Sequence, residues 1–277
     1  MTKILDKEQK NIILDSFFTH KEENISLSAE DYNKLAVLYK SKKLNNKVID
    51  VYKKVLKIRE ASLGIFHRKT AESYSNLAQA YFESHLNFKA KEFYEKALEV
   101  REKIFGIGHK ETATIYANLA HVYFNENNLK EASTFYRKAL HIRLNTVGES
   151  SLDTASSYHD LAYFYASEYA YEDALSLFKK SLNIKKKIYN TTINSSLADS
   201  YSHLALCYYH LFKYQEAYDN LKQAISIESK IYLENDTRLI LSKRNLRDIE
   251  KELLKEKNPT YLRVKKFIFR QFLRKYI

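Results

Sequence analysis

Apolar and small residues recur along this chain at spacings of three and four, the period of one face of an α-helix rather than that of a strand. The clearest instance is Tyr-x-x-Leu-Ala-x-x-Tyr, found at Tyr32–Tyr39, Tyr74–Tyr81, Tyr116–Tyr123, Tyr158–Tyr165 and Tyr201–Tyr208, with offsets of 42, 42, 42 and 43 residues. A second pattern keeps the same phase: Ala90, Tyr94, Ala97 and Leu98 recur as Ala132, Tyr136, Ala139 and Leu140, then as Ala174, Phe178, Ser181 and Leu182, then as Ala217, Leu221, Ala224 and Ile225. Each repeat is therefore expected to be a pair of helices. Alanine at mid-helix lets two axes approach closely, and the tyrosine one turn away fills the space beside the contact. Ten of the 23 tyrosines lie in the two columns of the first motif, which predicts a core role for them and not a cofactor box.

Turns inside the repeats are short: SHLN at 84–87, NENN at 125–128 and HLFK at 210–213. Between repeats, Gly106 and Gly148 suit left-handed positions after a helix, and Thr70 and Ser151 suit helix N-caps. The fourth junction, YNTTINSS, lacks glycine, so Asn190 or Asn194 is expected to take the left-handed position. Residues 236–257 read as a further helix with Leu246 in the leucine column, and Arg247 and Glu250 where the others keep alanine and tyrosine, as the outer face of a capping helix requires. A helix within residues 1–28 is expected to cover the other end.

Composition agrees with an all-α fold. Four glycines and one proline in 277 residues cannot supply the turns of a sandwich, barrel or doubly wound sheet. Gly64, Gly106, Gly108 and Gly148 do not cluster as a phosphate-cradling loop requires. Apolar residues make up 45% of the chain, enough for a large core. One cysteine and an N-terminus with charges spread through it point to the cytoplasm, and no apolar run is long enough to span a bilayer. The net charge is +12; six of those charges, Arg263, Lys265, Lys266, Arg270, Arg274 and Lys275, follow Pro259 and meet no acid.

The unit resembles the tetratricopeptide repeat, in the long variety found in kinesin light chains. The resemblance is carried by YSNLAQAYFESHLNFKAKEFYEKALEVREKIFGIGHKETA and its neighbours and covers roughly residues 29–232. It implies a right-handed α-solenoid of five helix-pair repeats, at about 29–69, 70–111, 112–153, 154–196 and 197–235, between terminal capping helices. It also implies a non-enzymatic adaptor or scaffold, whose first helices line a concave groove for a peptide segment of a partner protein. The positions just before each leucine, Lys34, Asn76, Asn118, Asp160 and His203, would face that groove. By the same resemblance Asn76 and Asn118 would contact the backbone of a bound peptide, a job that suits an amide with both donor and acceptor. Phe82, Phe124, Tyr163 and Tyr209 would supply apolar pockets beside them. Nothing resembles a kinesin-binding coiled coil, so a motor role does not follow.

Other chemistry is weaker. No HExxH, CxxC, GxSxG or DxDxDG string occurs, and no cofactor or catalytic residue is expected. Asp199, His203, Cys207 and His210 have the spacing of soft-metal ligands on one helix stripe. Cys207, however, falls in a column otherwise filled by Leu38, Ala80, Val122 and Phe164, so a small buried hydrophobe is expected and no metal. Arg59, Arg101, Arg143 and Lys185 recur near the ends of second helices, where cations complement the helix dipole; their spacing would also allow a positive ridge. Two alternatives to peptide capture remain. A helical-repeat RNA binder is disfavoured, because the column Asn76, Asn118, Asp160, His203 beside Glu72 and Glu83 is too acidic and uneven. A membrane-surface adaptor would use residues 259–277 as a basic amphipathic helix, with Arg263, Lys266, Arg270 and Arg274 on one side and an aromatic face on the other, against anionic lipid or against the last repeat. The sequence carries no signal of oligomeric state.

Overall fold

The computed structural model describes residues 28–258. The helices expected within 1–28 and 259–277, and with them Arg263, Lys266, Arg270 and Arg274, lie outside the described residues. Eleven helices follow one another: α1 (Ala29–Ser41), α2 (Asn45–Leu63), α3 (Arg68–Glu83), α4 (Asn87–Phe105), α5 (Lys110–Asn125), α6 (Leu129–Thr146), α7 (Leu152–Ser167), α8 (Tyr171–Ile188), α9 (Ser195–His210), α10 (Tyr214–Ile231) and α11 (Thr237–Lys257). No strand occurs among the described residues. Each helix packs on the next, and first helices also touch one another directly, α5 with α7 and α7 with α9, which puts them on the inner side of the stack.

Close crossings explain the small-residue columns. Ala36, Ala78, Ala120 and Ala162 on the first helices are fully buried, as are Ala90, Ala132, Ala174 and Ala217 on the second. Beside them, Tyr52, Tyr94, Tyr136, Phe178 and Leu221 fill the space between helices, one per repeat. A buried phenol needs a partner. The Tyr94 hydroxyl donates to Gln79 Oε1 at 2.6 Å, and the Tyr136 hydroxyl meets His121 Nδ1 at 2.7 Å, both one helix inward. Ser181, the one serine in its alanine column, donates to the Ala155 carbonyl at 2.7 Å.

Every intra-repeat turn closes in the same way. The amides of Leu44, Leu86, Asn128, Ala170 and Lys213 reach back to the carbonyls of Tyr39, Tyr81, Tyr123, Tyr165 and Tyr208 at 2.8–3.0 Å. The preceding residue is left-handed each time, with φ between 57° and 61° at Lys43, His85, Asn127, Tyr169 and Phe212. None is glycine. Between repeats, glycine is used differently from expectation: Gly64 and Gly106 have φ of 81° and 86° with ψ of 169° and 163°, an extended conformation open to glycine alone and not the left-handed helical one. A Cβ at Gly64, Gly106 or Gly148 would meet nothing within 4 Å, so it is the backbone angle that requires glycine.

Other junction details also differ from the sequence reading. His67, not Thr70, caps α3, its Nδ1 accepting from the Lys69 amide; Thr70 lies one turn in, where its hydroxyl donates to the Gly64 carbonyl at 2.8 Å. Thr112 and Thr154 repeat that bond to Gly106 and Gly148 at 3.0 and 2.6 Å, while Ser151 caps α7 as expected. At the fourth junction neither Asn190 nor Asn194 is left-handed. Asn194 is instead the N-cap of α9, because the extra residue leaves the chain room to enter the helix from an extended conformation.

The cation column is corrected most. Arg59, Arg101, Arg143 and Lys185 form no exposed ridge, since all are buried, at 5 to 9% exposure; Arg143 and Lys185 do lie in the last turns of their helices, where a cation complements the dipole. Their stems carry the charge across to the next repeat. Arg59 donates to the Lys69 carbonyl at 2.8 Å and to Ser73 Oγ at 2.9 Å, and Arg143 to the Asp153 carbonyl at 3.0 Å and Ser157 Oγ at 2.7 Å. Arg101 has Ile115 at the position where the others have serine, and it binds the carbonyl and carboxylate of Glu111 at 2.9 and 2.8 Å. Lys185 reaches only Ser200 Oγ, at 3.0 Å. In the fifth repeat the column ends in Glu228, 5% exposed and facing α11.

Two outcomes follow from these contacts. Arg143→Met keeps the stem but strands the Asp153 carbonyl and the Ser157 hydroxyl, and should cost about 2–3 kcal/mol, whereas Lys185→Met removes one bond and should cost under about 1 kcal/mol. Tyr169→Gly should raise stability by about 0.5–1 kcal/mol, since a bulky residue at positive φ is strained and Tyr169 is exposed. Urea midpoints at constant slope measure both; equal losses for the two methionine variants would contradict the inter-repeat role of Arg143.

Candidate peptide-binding face

The inner positions of the first helices are set by the core behind them. Asn76 on α3 and Asn118 on α5 are half-buried, and neither carboxamide hydrogen-bonds to another described residue. Both are thus left with donor and acceptor to offer. Asp160 on α7 is half-buried as well. Burial raises its carboxyl above the usual range, and His121 Nε2 lies 3.8 Å away. The Tyr136 hydroxyl meets His121 Nδ1, and burial lowers the His121 pKa and favours the neutral ring.

Aromatic rings join the third, fourth and fifth repeats. Phe124 and Tyr163 meet edge to face with centroids 6.1 Å apart, and Tyr163 meets His203 at 5.9 Å. Tyr163 is free to do so because Phe178 in the core has no hydroxyl for that position to satisfy, unlike Tyr94 and Tyr136. Tyr209 packs on His210 and Tyr214 at 5.6 and 5.5 Å, at the far end of the face. Phe82 is turned partly into the core of the first three repeats. Of the eight expected groove residues, then, Phe124, Tyr163 and His203 form one connected stripe. Asn76 and Asn118 stand free, Asp160 lies beside His121, Phe82 lies apart, and Tyr209 makes its ring contacts outside the stripe.

His159 went unremarked in the sequence, though it is the one ring in a column that otherwise reads Asn33, Ser75, Ala117 and Ser202. It packs between Phe178 at 5.2 Å and His203 at 4.9 Å. Burial first, then the neighbouring His203, Lys185 and His121, push its pKa down to about 3. A cavity of about 440 Å³ opens here between α7, α8 and α9, with His159, His203, Lys185, Asp153 and Asp199 around it.

The four spaced ligand candidates do not converge. Cys207 is fully buried, and burial pushes its thiol up to about 11. His203 Nδ1 is 2.7 Å from the Asp199 carbonyl, and His210 stacks on Tyr171 with centroids 4.4 Å apart. Among the described residues no group of three or more His, Cys, Asp or Glu side chains is placed to hold a metal.

Models of the tetratricopeptide repeat match residues 29–103, 84–145 and 111–187, and a second such model matches 198–231. The chain belongs to the tetratricopeptide repeat family. Among solved structures, this tetratricopeptide array is similar to BtubC (BKLC) from P. vanneervenii, at 26% identity and a TM-score of 0.63, over 75% of this chain and 83% of that one. It is also similar in fold to the nearly identical TPR-like repeats of a putative kinesin light chain from Podosopora anserina. There the identity is 21%, with a TM-score of 0.59, over 76% of this chain and 100% of that one. A single-substitution variant of the same repeats matches at 22% identity and a TM-score of 0.60, over 73% of this chain and 95% of that one. No curated protein sequence matches the chain. The repeats thus build a scaffold of the kind used for protein interaction, with kinesin-light-chain-like units. No helix among the described residues is long and apolar enough to cross a membrane.

Burial of His159 should make this array sensitive to acid. His159 titrates near 6.5 when unfolded and about 3 when folded, so below pH 6.5 the unfolded chain binds a proton that the folded one refuses. Stability should be fully present above that pH and fall as pH drops towards 3, by up to about 1.4 kcal/mol per unit for each such histidine. Urea unfolding at pH 7 and pH 5 should show a smaller loss in His159→Gln than in the parent; an identical loss would mean that His159 is not the group held neutral.

Proposed function

We propose that this protein is a non-enzymatic adaptor that holds an extended peptide segment of a partner protein along the inner face of its repeats. The observation that carries this reading is the pair of carboxamides at Asn76 and Asn118. They are 42 residues apart in sequence and equivalent in adjacent repeats, half-exposed, and without a partner among the described residues. An extended backbone offers a donor and an acceptor at regular intervals, which an amide can satisfy together. The stripe Phe124, Tyr163 and His203 continues the same inner columns and supplies flat apolar surface for the side chains of such a segment. Asp160, beside His121, would act by shaping the face rather than by direct contact. The column Arg59, Arg101, Arg143 and Lys185 is buried between repeats and unavailable to phosphates, while the exposed column Lys54, Lys96, Lys138 and Lys180 is drawn over the rings of Tyr32, Phe93, Tyr116 and Tyr158.

The test starts from affinity purification of the full chain and mass spectrometry of what remains bound. Asn76→Ala with Asn118→Ala should weaken the recovered partner at least about tenfold, and Tyr163→Ala by a similar factor, with the helical circular dichroism unchanged. Undiminished affinity in both variants would place the partner elsewhere on the molecule.

A further inference from the structure

A second cavity, of about 420 Å³, lies between α9 and α11 at the end of the inner face, and His203 and Tyr209 of that face contribute to its lining. Its walls are apolar: Leu206 and Leu241 are both about half-exposed, while Leu221 and Ile249 are buried. The charged groups in the lining are three carboxyls, Asp199, Glu228 and Asp248, and one guanidinium, Arg238. Glu228, only 5% exposed, has an Oε2 with no hydrogen-bond partner, and so does the buried Oγ of Ser202. Both line this one cavity. A carboxylate oxygen buried without a donor is costly and rare in a folded protein unless something else supplies that donor.

The charges around the cavity leave an acid surplus. Arg238 at the rim is already held by Asp236, through bonds of 2.8 and 3.0 Å, and lies over the Tyr232 ring. Asp248 is paired with Lys251 at 2.7 Å. Asp199 has no ion pair within 4 Å among the described residues, although the Lys185 ammonium acts on it from the neighbouring cavity, and Glu228 stands where the other four repeats carry Arg or Lys. Ser242 lies beside the Glu228 carboxyl and favours its charged form, though burial outweighs this and raises the pKa.

We propose that this cavity is the C-terminal subsite of the groove and receives a lysine or arginine side chain of the bound peptide. The apolar stem lies against Leu206, Leu221, Leu241 and Ile249, and the cationic head sits at Glu228, Ser202 and Asp199. This assignment rests on the groove reading above, because it takes its occupant from the peptide held there. It requires a partner segment with a basic residue near one end, and a neutral or acidic residue at that place should be rejected.

The test uses the full chain and three small probes of matched length: n-butylguanidinium, n-butylammonium and the uncharged n-butylurea. Backbone NMR should show both cations shifting the amides around Leu206, Leu241 and Ile249 saturably, with butylurea at least tenfold weaker. Glu228→Gln, which keeps the shape, should weaken the cations about tenfold, and Asp199→Asn should weaken them severalfold should the first variant not fold. Equal binding of butylurea, shifts confined to other helices, or unchanged cation affinity in a folded Glu228→Gln chain would overturn the proposal. So would tighter cation binding after the six Lys and Arg residues beyond Pro259 are replaced by Gln, since the chain's own basic segment would then be the occupant. Asn76→Ala with Asn118→Ala should leave probe binding unchanged. A failure of the probes therefore removes only this subsite, while a failure of the asparagine variants to affect the partner removes the groove.

Discussion

Close approach of helices at alanine is the constraint on which everything else in this array depends. With Ala36, Ala78, Ala120 and Ala162 on the first helices and Ala90, Ala132 and Ala174 on the second all sealed from solvent, the axes come near enough that the neighbouring space takes one large ring and no more. Where that ring is Tyr94 or Tyr136 its hydroxyl is shut away from water, and it draws a partner from the first helix: Gln79 in one repeat and His121 in the next. The inner face is in this way partly written by the core. Where the core ring is Phe178, the equivalent position, Tyr163, turns outward and joins its neighbours.

The same layering governs the bonds between repeats. Apolar contact alone is non-directional and would tolerate sliding of one repeat over another, whereas a guanidinium that binds a carbonyl and a hydroxyl at fixed distances does not. Arg59 and Arg143 select a single register by this means, and the threonine-to-glycine bonds of Thr70, Thr112 and Thr154 fix the corner that leads into it. Burying such cations without partners would be costly, so each retains its place only because the next repeat presents acceptors to it.

The repeat, its helix pairs and its small-residue columns could be read from the sequence because period and residue size act locally. What was misread depended on reach. Arginine has a stem long enough to leave its own helix, so the position of its Cα said little about where its charge would lie. Thr70 looked like a cap because capping residues are short and polar, yet His67 three residues earlier supplied the nitrogen. Asn190 and Asn194 were assigned by residue type to a conformation that the longer fourth junction does not need. The free carboxamides of Asn76 and Asn118 stand in the columns that the sequence singled out, but which of their neighbours the core would claim was visible only in three dimensions. His159 shows the same limit: its oddity was present in the column, but its meaning came from Phe178 and His203 on either side of it.

The reversal of sign at Glu228 bears on how many copies of the unit can follow one another. At the first three junctions an arginine meets a backbone carbonyl of the next first helix. A further copy stacked after α10 in the same register would set that carbonyl against a buried carboxyl group in place of a guanidinium. A unit duplicated at this end would thus lack the cation-to-carbonyl bond by which the first three junctions fix their register.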